Sequence, residues 1–123
     1  MREYNARVGI TYITGEVSGP KGTVTVKFLV DSGAMYSLIA EADWKKIGLR
    51  RQRVATFTLA DGSTLERAIS ECRLVLPQGE CHTPVILGEA RDKPLLGVVT
   101  LEILGLMFNP FSRELKPMNL LLA

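Results

Sequence analysis

The stretch from Phe28 to Ala34 most constrains how this chain can fold. It reads Phe-Leu-Val-Asp-Ser-Gly-Ala, so three large apolar residues run directly into an acid, a hydroxyl and a glycine. An apolar run of this kind predicts a buried strand. An acid at its end would lose its contact with water, which is costly unless the acid is paired or has a function. Gly33 lets the backbone turn and lets another chain segment come close. A desolvated Asp31 at a strand-to-turn junction is therefore a candidate catalytic group.

A second segment supports this interpretation. Pro94-Leu95-Leu96-Gly97 precedes the helix-like residues 98–105, with room for hairpins between the two segments. In this order the two segments resemble the active-site signatures of the retropepsin-like (clan AA) aspartic proteases, in which hydrophobic residues lead into Asp-Thr/Ser-Gly-Ala and, later, into a glycine before a short helix. The resemblance extends from about Val8 to the C-terminus and is nearer to the stand-alone microbial members than to the viral ones.

The resemblance implies an all-β fold. We expect a single domain over residues 1–123, a retropepsin-like closed β-barrel of hairpins with one or two short helices, forming one lobe of an acid-protease dimer. The residue pattern is in keeping with this layout. It predicts strands at 8–13, 24–30, 54–59, 64–69, 72–76, 82–87 and 95–96, helices at 40–47 and 98–105, and turns at 18–22, 60–63, 77–79 and 111–113.

One hairpin has a special place in this family. Asp61-Gly62 between two alternating segments is a strong hairpin signal, and the resemblance makes Ala60, Asp61, Gly62 and Ser63 the tip of the flap that closes over bound peptide. The tip differs from the glycine-rich tip of viral enzymes and from the tyrosine-bearing flap of pepsin. A plain surface hairpin explains the same residues.

Peptide hydrolysis by this chemistry needs two carboxylates, one ionised as a base and one protonated as an acid. Asp31 alone follows a predicted buried strand, since Asp43 falls in a helix, Asp61 on a turn and Asp92 in a charged loop. The second carboxylate must therefore come from a second copy of the chain, and two-fold dimers are the commonest oligomers. The resemblance implies the same homodimer, with one Asp31 from each subunit.

The resemblance also implies roles for the neighbouring residues. Ser32 would hold the two motif loops together across the two-fold axis, Gly33 would allow close approach and bond the carboxylate through its N–H, and Ala34 would lie at the cleft floor. Leu95, Leu96 and Gly97 would support the Asp31 loop from behind. An extended peptide or unfolded protein would bind as an added strand between flap and floor.

Composition excludes several other functions. A net charge of +2 is too small to favour nucleic acid as a partner, and no apolar run approaches the ~20 residues that span a bilayer. The first residues lack the apolar core of a secretion signal, so we expect a cytoplasmic protein.

Cys72 and Cys81 predict two reduced thiols, with a hairpin disulfide as the alternative. His82 beside Cys81 is a poor metal site, and we expect no metal or cofactor.

Two alternatives remain open at this stage. Asp31 fits a purely structural role, capping a turn through backbone N–H groups. The whole chain also fits a non-proteolytic dimerisation or peptide-binding module on the same fold, because fold alone does not establish activity. The terminal segment Met118–Leu122 either pairs into the domain's own sheet or contacts a partner chain, since exposed leucines are a liability for a monomer.

Overall fold

The computed structural model describes residues 10–119. The predicted strand residues Val8 and Gly9 and the tail residues Leu120–Leu122 lie outside the described residues. In chain order the elements are β1 (Tyr12–Gly19), β2 (Gly22–Val30), β3 (Ser37–Ile39), α1 (Glu41–Lys46), β4 (Arg53–Thr58), β5 (Thr64–Leu76), β6 (Gly79–Leu87), β7 (Leu95–Leu96), α2 (Val98–Ile103), β8 (Leu106–Asn109) and β9 (Glu114–Pro117).

Six of these strands close into a barrel. The sheet runs β1-β2-β7-β3-β6-β5, and β1 also pairs with β5, which completes the ring. β4 extends the sheet beyond β5, and β8 and β9 form a separate hairpin. Closure removes the open edges of the ring, which would otherwise offer unpaired backbone groups. Within residues 10–119, the predicted closed β-barrel with one or two short helices is confirmed, with two helices.

The core follows from the period of two along β2. Val24, Val26, Phe28 and Val30 are buried on the inner face, and the residues between them point outward. The same alternation on β5 and β6 buries Leu74, Leu76 and Val85 against them. Phe28 is completely buried, and the next inner-face residue, Val30, is the last strand residue before Asp31. The packing of these two residues in the barrel core therefore fixes the position of the end of β2.

Two strands, β1 and β5, differ most from their predicted bounds. β1 starts at Tyr12 and continues to Gly19, because its partner β2 extends to Gly22 and the two pair over the whole length. β5 is one strand of 13 residues, where the sequence pattern predicts two. It stays continuous because it pairs with β4 over its first half, with β1 near its end and with β6 from Ile69 to Leu76.

The helices are short and close to their predicted positions. α1 and α2 span six residues each. Gly48 and Gly105, which follow them, have φ angles of 76° and 69°, the left-handed conformation that ends many helices. Neither of the helices in residues 10–119 is long and apolar enough to cross a membrane.

Gly15 is expected to be essential for barrel closure. A Cβ at this position would lie 2.7 Å from Leu76 Cδ2 and 2.8 Å from the Val75 carbonyl oxygen, at the β1–β5 junction. We predict that Gly15→Ala lowers the free energy of unfolding by about 1–3 kcal/mol, because β1 and β5 must move apart. Thr14→Ala, on the exposed neighbour, is the control. Equal urea midpoints for the two variants would contradict this account.

Candidate active site

Asp31 lies where β2 leaves the barrel sheet. Its backbone N–H donates to the Leu96 carbonyl at 3.0 Å, and its own carbonyl accepts the Ala34 N–H at 3.1 Å. The Gly33 N–H donates to Asp31 Oδ1 at 2.9 Å. The residue is thus the last one in register with β7 and the first one of a tight turn, a setting in which Asp commonly bonds the backbone two residues on.

Gly33 permits this contact between the turn and the carboxylate. A Cβ at Gly33 would lie 3.2 Å from Asp31 Oδ1, tighter than ordinary side-chain packing. Ser32 and Gly33 are exposed and Ala34 is half-buried. The motif therefore presents its hydroxyl and its carboxylate at the surface of the single subunit.

One expectation about Asp31 needs correction. The sequence pattern predicts a buried, desolvated acid, whereas Asp31 is only partly buried in the single chain. The reason is local, because the backbone turns away from the barrel core immediately after Val30. The one hydrogen bond from Gly33 uses a fraction of the carboxylate's accepting capacity. Asp31 thus combines the capping bond of a structural acid with the accessibility that a catalytic acid requires.

Leu95 and Leu96 form β7, which supports the Asp31 turn from the side. β7 is parallel to β2, with Leu95 opposite Leu29 and Leu96 opposite Val30. On its other side, Leu95 pairs with Leu38 of β3. Leu96 is completely buried. The two-residue strand is therefore wedged between β2 and β3 and holds the start of the motif through the Leu96 carbonyl.

Gly97 lets the motif loop cross directly over the second segment. A Cβ at Gly97 would lie 2.6 Å from the carbonyl carbon and oxygen of Tyr36. Just beyond this crossing, the N–H groups of Val98 and Val99 donate to the carbonyls of Ala34 and Met35, both at 2.9 Å. The first N–H groups of a helix have no partner within the helix. Here the motif loop supplies those partners, so the loop and α2 are fixed to each other.

A chain of buried hydroxyls lies behind this crossing. The Gly97 N–H donates to Ser37 Oγ at 2.9 Å, Ser37 Oγ is 2.6 Å from Thr100 Oγ1, and Thr100 Oγ1 is 2.8 Å from Thr83 Oγ1. Thr83 donates in turn to the Pro84 carbonyl at 3.3 Å. The three hydroxyl side chains are completely buried. Donation in one direction satisfies the whole chain, and such chains strengthen each bond.

Sequence reasoning missed this network and the role of Tyr36. Ser37 and Thr100 are hydroxyl residues within apolar segments, and a buried hydroxyl needs a partner. That signal was available in the sequence. The identity of the partners was not, because Ser37 and Thr100 are 63 positions apart in the chain.

The base of the β4–β5 hairpin contacts the loops on both sides of the site. The Phe57 and Tyr36 rings meet edge to face with centroids 6.0 Å apart, and the Arg53 guanidinium donates to the Tyr36 hydroxyl at 3.3 Å. Arg67 on β5 bonds Asp92, just before β7, at 2.9 Å. Beyond these contacts, residues 58–66 are exposed on both faces. The hairpin is therefore anchored near the two signature segments and projects freely beyond them.

The tip of this hairpin is a compact turn over Ala60–Ser63. The Leu59 N–H donates to the Ser63 carbonyl at 2.8 Å, and Gly62 has a φ of 88°. The hydroxyl of Ser63 and, less strongly, its backbone N–H donate to Asp61 and hold the pKa of that carboxyl below its ordinary range. A lowered pKa means that these bonds favour the turn above the ordinary pKa of an aspartate and lose their effect as the pH falls below it.

Metal ligands and cysteine thiols are the other groups that could take part in chemistry. Residues 10–119 contain no group of three or more His, Cys, Asp and Glu side chains placed to hold a metal ion. Cys72 and Cys81 are free thiols. They face Thr83 and Leu74 across β5 and β6, so they are diagonal neighbours and the hairpin disulfide is not formed. Burial, and secondarily the nearby Cys81, raises the pKa of Cys72 to about 12, which makes it an unreactive thiol.

The hydroxyl chain gives a direct test of how the site is supported. Thr100→Val keeps the side-chain shape but leaves the Ser37 and Thr83 hydroxyls without their shared partner. We predict a loss of about 1–3 kcal/mol in the free energy of unfolding, measured by urea denaturation. Thr100→Ser restores the hydroxyl and should keep most of the stability. If valine proved as stable as serine at this position, the network would not support the site.

Comparison with known proteins places these features in a family. A family model described as aspartyl protease matches residues 13–98, which include both signature segments. A search of curated protein sequences found no match.

Solved structures show the same fold. A retropepsin-like aspartic protease from Rickettsia conorii has 26% sequence identity and a TM-score of 0.57, covering 85% of this chain and 88% of its own. EIAV protease, solved with an inhibitor, has 17% identity and a TM-score of 0.58 over 78% of this chain and 88% of its own. Simian foamy virus protease has 17% identity and a TM-score of 0.56 over 76% and 94%.

The family match over residues 13–98 therefore includes nearly all of the barrel, the Asp31 turn and the strand β7 that supports this turn. The chain belongs to the aspartyl protease family and is a retropepsin-like member of it.

Proposed function

We propose that this protein is a homodimeric aspartic endopeptidase. The observation that carries the proposal is the setting of Asp31, a partly exposed residue at the end of β2. Its backbone N–H donates to the Leu96 carbonyl, and its carboxylate accepts the Gly33 N–H. A carboxylate that a rigid element positions and that stays accessible satisfies the requirement for a general acid or base.

The other aspartates of residues 10–119 do not supply a second catalytic carboxylate. Asp92 bonds Arg67 and the Glu89 N–H, Asp43 lies on α1, and Asp61 closes the hairpin tip. A two-fold axis near the Asp31 turn would bring in the Asp31 of a second copy. Two such carboxylates cannot both ionise at close range, so one keeps a proton; aspartic proteases are the standard example of such a pair.

The chemistry then balances without a cofactor. The ionised carboxylate takes a proton from a water molecule while the water oxygen attacks the peptide carbonyl carbon. The protonated carboxyl donates its proton to the carbonyl oxygen, which gives a neutral tetrahedral diol. The carboxyl that took the water proton then gives it to the peptide nitrogen as the C–N bond breaks, and the other carboxylate takes a proton back from a diol hydroxyl. A carboxylic acid and an amine leave, and the pair regains its single proton. One water is consumed for each peptide bond.

The neighbouring residues act on this arrangement. Exposed Ser32 would bond the motif loop of the partner subunit, and half-buried Ala34 would line the cleft floor. The β4–β5 hairpin would be the flap, because its base is anchored beside both signature segments and its tip projects freely. Val98 and Val99 follow Gly97, so an ion-pair network between subunits at this point is not part of the proposal.

We also propose a cytoplasmic location. Cys72 and Cys81 are neighbours that remain unbridged, and unbridged thiols suit a reducing compartment.

The direct test of the proposed activity is Asp31→Asn, which keeps the shape of the side chain and removes its acid–base capacity. We predict that cleavage of unfolded protein falls by at least about 10²–10⁴-fold, and that statine-type peptides inhibit the unsubstituted protein because they mimic the tetrahedral intermediate. Asp43→Asn, on α1, is the matched control and should keep the activity. A dimer that binds peptide but cleaves none at any pH would instead favour the non-proteolytic binding module.

A further inference from the structure

A pocket with two lysines lies on the same side of the sheet as Asp31. Its volume is about 400 Å³, and it is lined by Tyr12, Lys27, Leu29, Lys93 and Pro94. Pockets of roughly 300–1,000 Å³ accommodate small ligands, so this one has ample space for one amino-acid side chain.

The register of β2 connects this pocket to the catalytic turn. Val26, Phe28 and Val30 face the core, so Lys27 and Leu29 point to the opposite face. The alternation continues by one residue to Asp31, whose N–H is still in the ladder with β7. Side chains two residues apart on a strand are about 6.6 Å apart. Leu29 thus lies between Lys27 and Asp31 on this face, one such step from each.

The other walls come from the two strands on either side of β2. Tyr12 is directly opposite Leu29 on β1. Pro94 precedes β7, and its carbonyl accepts the Leu29 N–H at 3.2 Å. The pocket is therefore built on the elements that hold Asp31, rather than on a separate part of the barrel.

The charge of the pocket is positive. Lys27 Nζ lies 4.8 Å from the centre of the Tyr12 ring, a cation–π contact that holds the ammonium group at the pocket wall. Within residues 10–119 neither Lys27 nor Lys93 belongs to an ion pair. Asp92, next to Lys93, is engaged by Arg67 and by the Glu89 N–H. The nearest acid on this face of β1 is Glu16. It lies opposite Thr25, which is two residues before Lys27 on β2 and therefore one position farther from the pocket.

We propose that this pocket is a specificity subsite that accepts an acidic side chain, Glu or Asp, of the bound peptide. The inference rests on the proposed function, because an extended peptide that passes over Asp31 presents alternate side chains to the face that carries Leu29 and Lys27. A carboxylate placed between the two ammonium groups gains charge-assisted contacts with both. In a two-fold dimer each subunit supplies one such pocket, so an acidic residue is favoured on either side of the cleaved bond.

The test measures peptide binding separately from cleavage. The probe is a fluorescein-labelled host peptide with neutral side chains, in which a single Glu or its neutral analogue Gln is placed at each position in turn. Binding is measured by anisotropy with the full-chain Asp31→Asn protein, and cleavage of the same peptides with the unsubstituted protein. Lys27→Gln, Lys93→Gln and their combination are compared with Lys46→Gln, an exposed lysine on α1 that serves as the control.

We expect Glu to bind about fivefold more tightly than Gln at one or two positions. The preference should fall towards unity in the Lys27→Gln/Lys93→Gln protein, persist in Lys46→Gln, and weaken in about 1 M salt. Equal binding of Glu and Gln at every position, or a preference that survives the double substitution, would overturn the subsite. Cleavage by the unsubstituted protein without any preference overturns the subsite alone, whereas a preference without cleavage overturns the proposed activity alone.

Discussion

The crossing of the Asp31 loop over Gly97 is the contact on which the rest of the site depends. At this point the backbones of Tyr36 and Gly97 come so close that no side chain fits between them. The N–H groups at the start of α2 then bind the carbonyls of Ala34 and Met35. The Asp31 turn is therefore held by backbone contacts from β7 and α2, with completely buried hydroxyls behind them. Such contacts leave the turn few alternative positions, which is what a general acid or base requires.

The same arrangement leaves one subunit without the second carboxylate that the proposed mechanism requires. The barrel places one carboxylate, Asp31, at the accessible end of β2 and engages Asp61 and Asp92 in contacts of their own. A single carboxylate cannot act as acid and base in the same step. Assembly of two chains is thus a chemical requirement of the proposed mechanism. It would also account for the exposure of Asp31 and Ser32 in the single subunit, since a partner would cover them.

Local sequence signals predicted much of the fold. The hairpin turn at Asp61-Gly62, the end of α1 at Gly48 and the apolar run into Asp31 each depend on a few adjacent residues, and the structure has all three. The continuity of β5 was not predictable in this way, because it depends on pairing with β1, β4 and β6 at once. The hydroxyl chain from Ser37 to Thr83 likewise depends on contacts between residues far apart in the chain. The exposure of Asp31 was misjudged because the direction of the turn after Val30 is set by β7 and α2.

The measurement that tests the shared dyad most directly is activity in mixtures of active and Asp31→Asn chains. The amount of active chain is kept fixed, and the two kinds of chain exchange subunits at concentrations where all chains are dimeric. When active and Asp31→Asn chains are present in equal amounts, random pairing places half of the active chains in mixed dimers. The account predicts that activity then falls to about one half, and to about one fifth with a fourfold excess of the substituted chain, because a mixed dimer has one carboxylate. Constant activity would show that each chain acts on its own, and a rise to about 1.5-fold in the equal mixture would show that one Asp31 per dimer suffices. Either result would contradict a shared dyad.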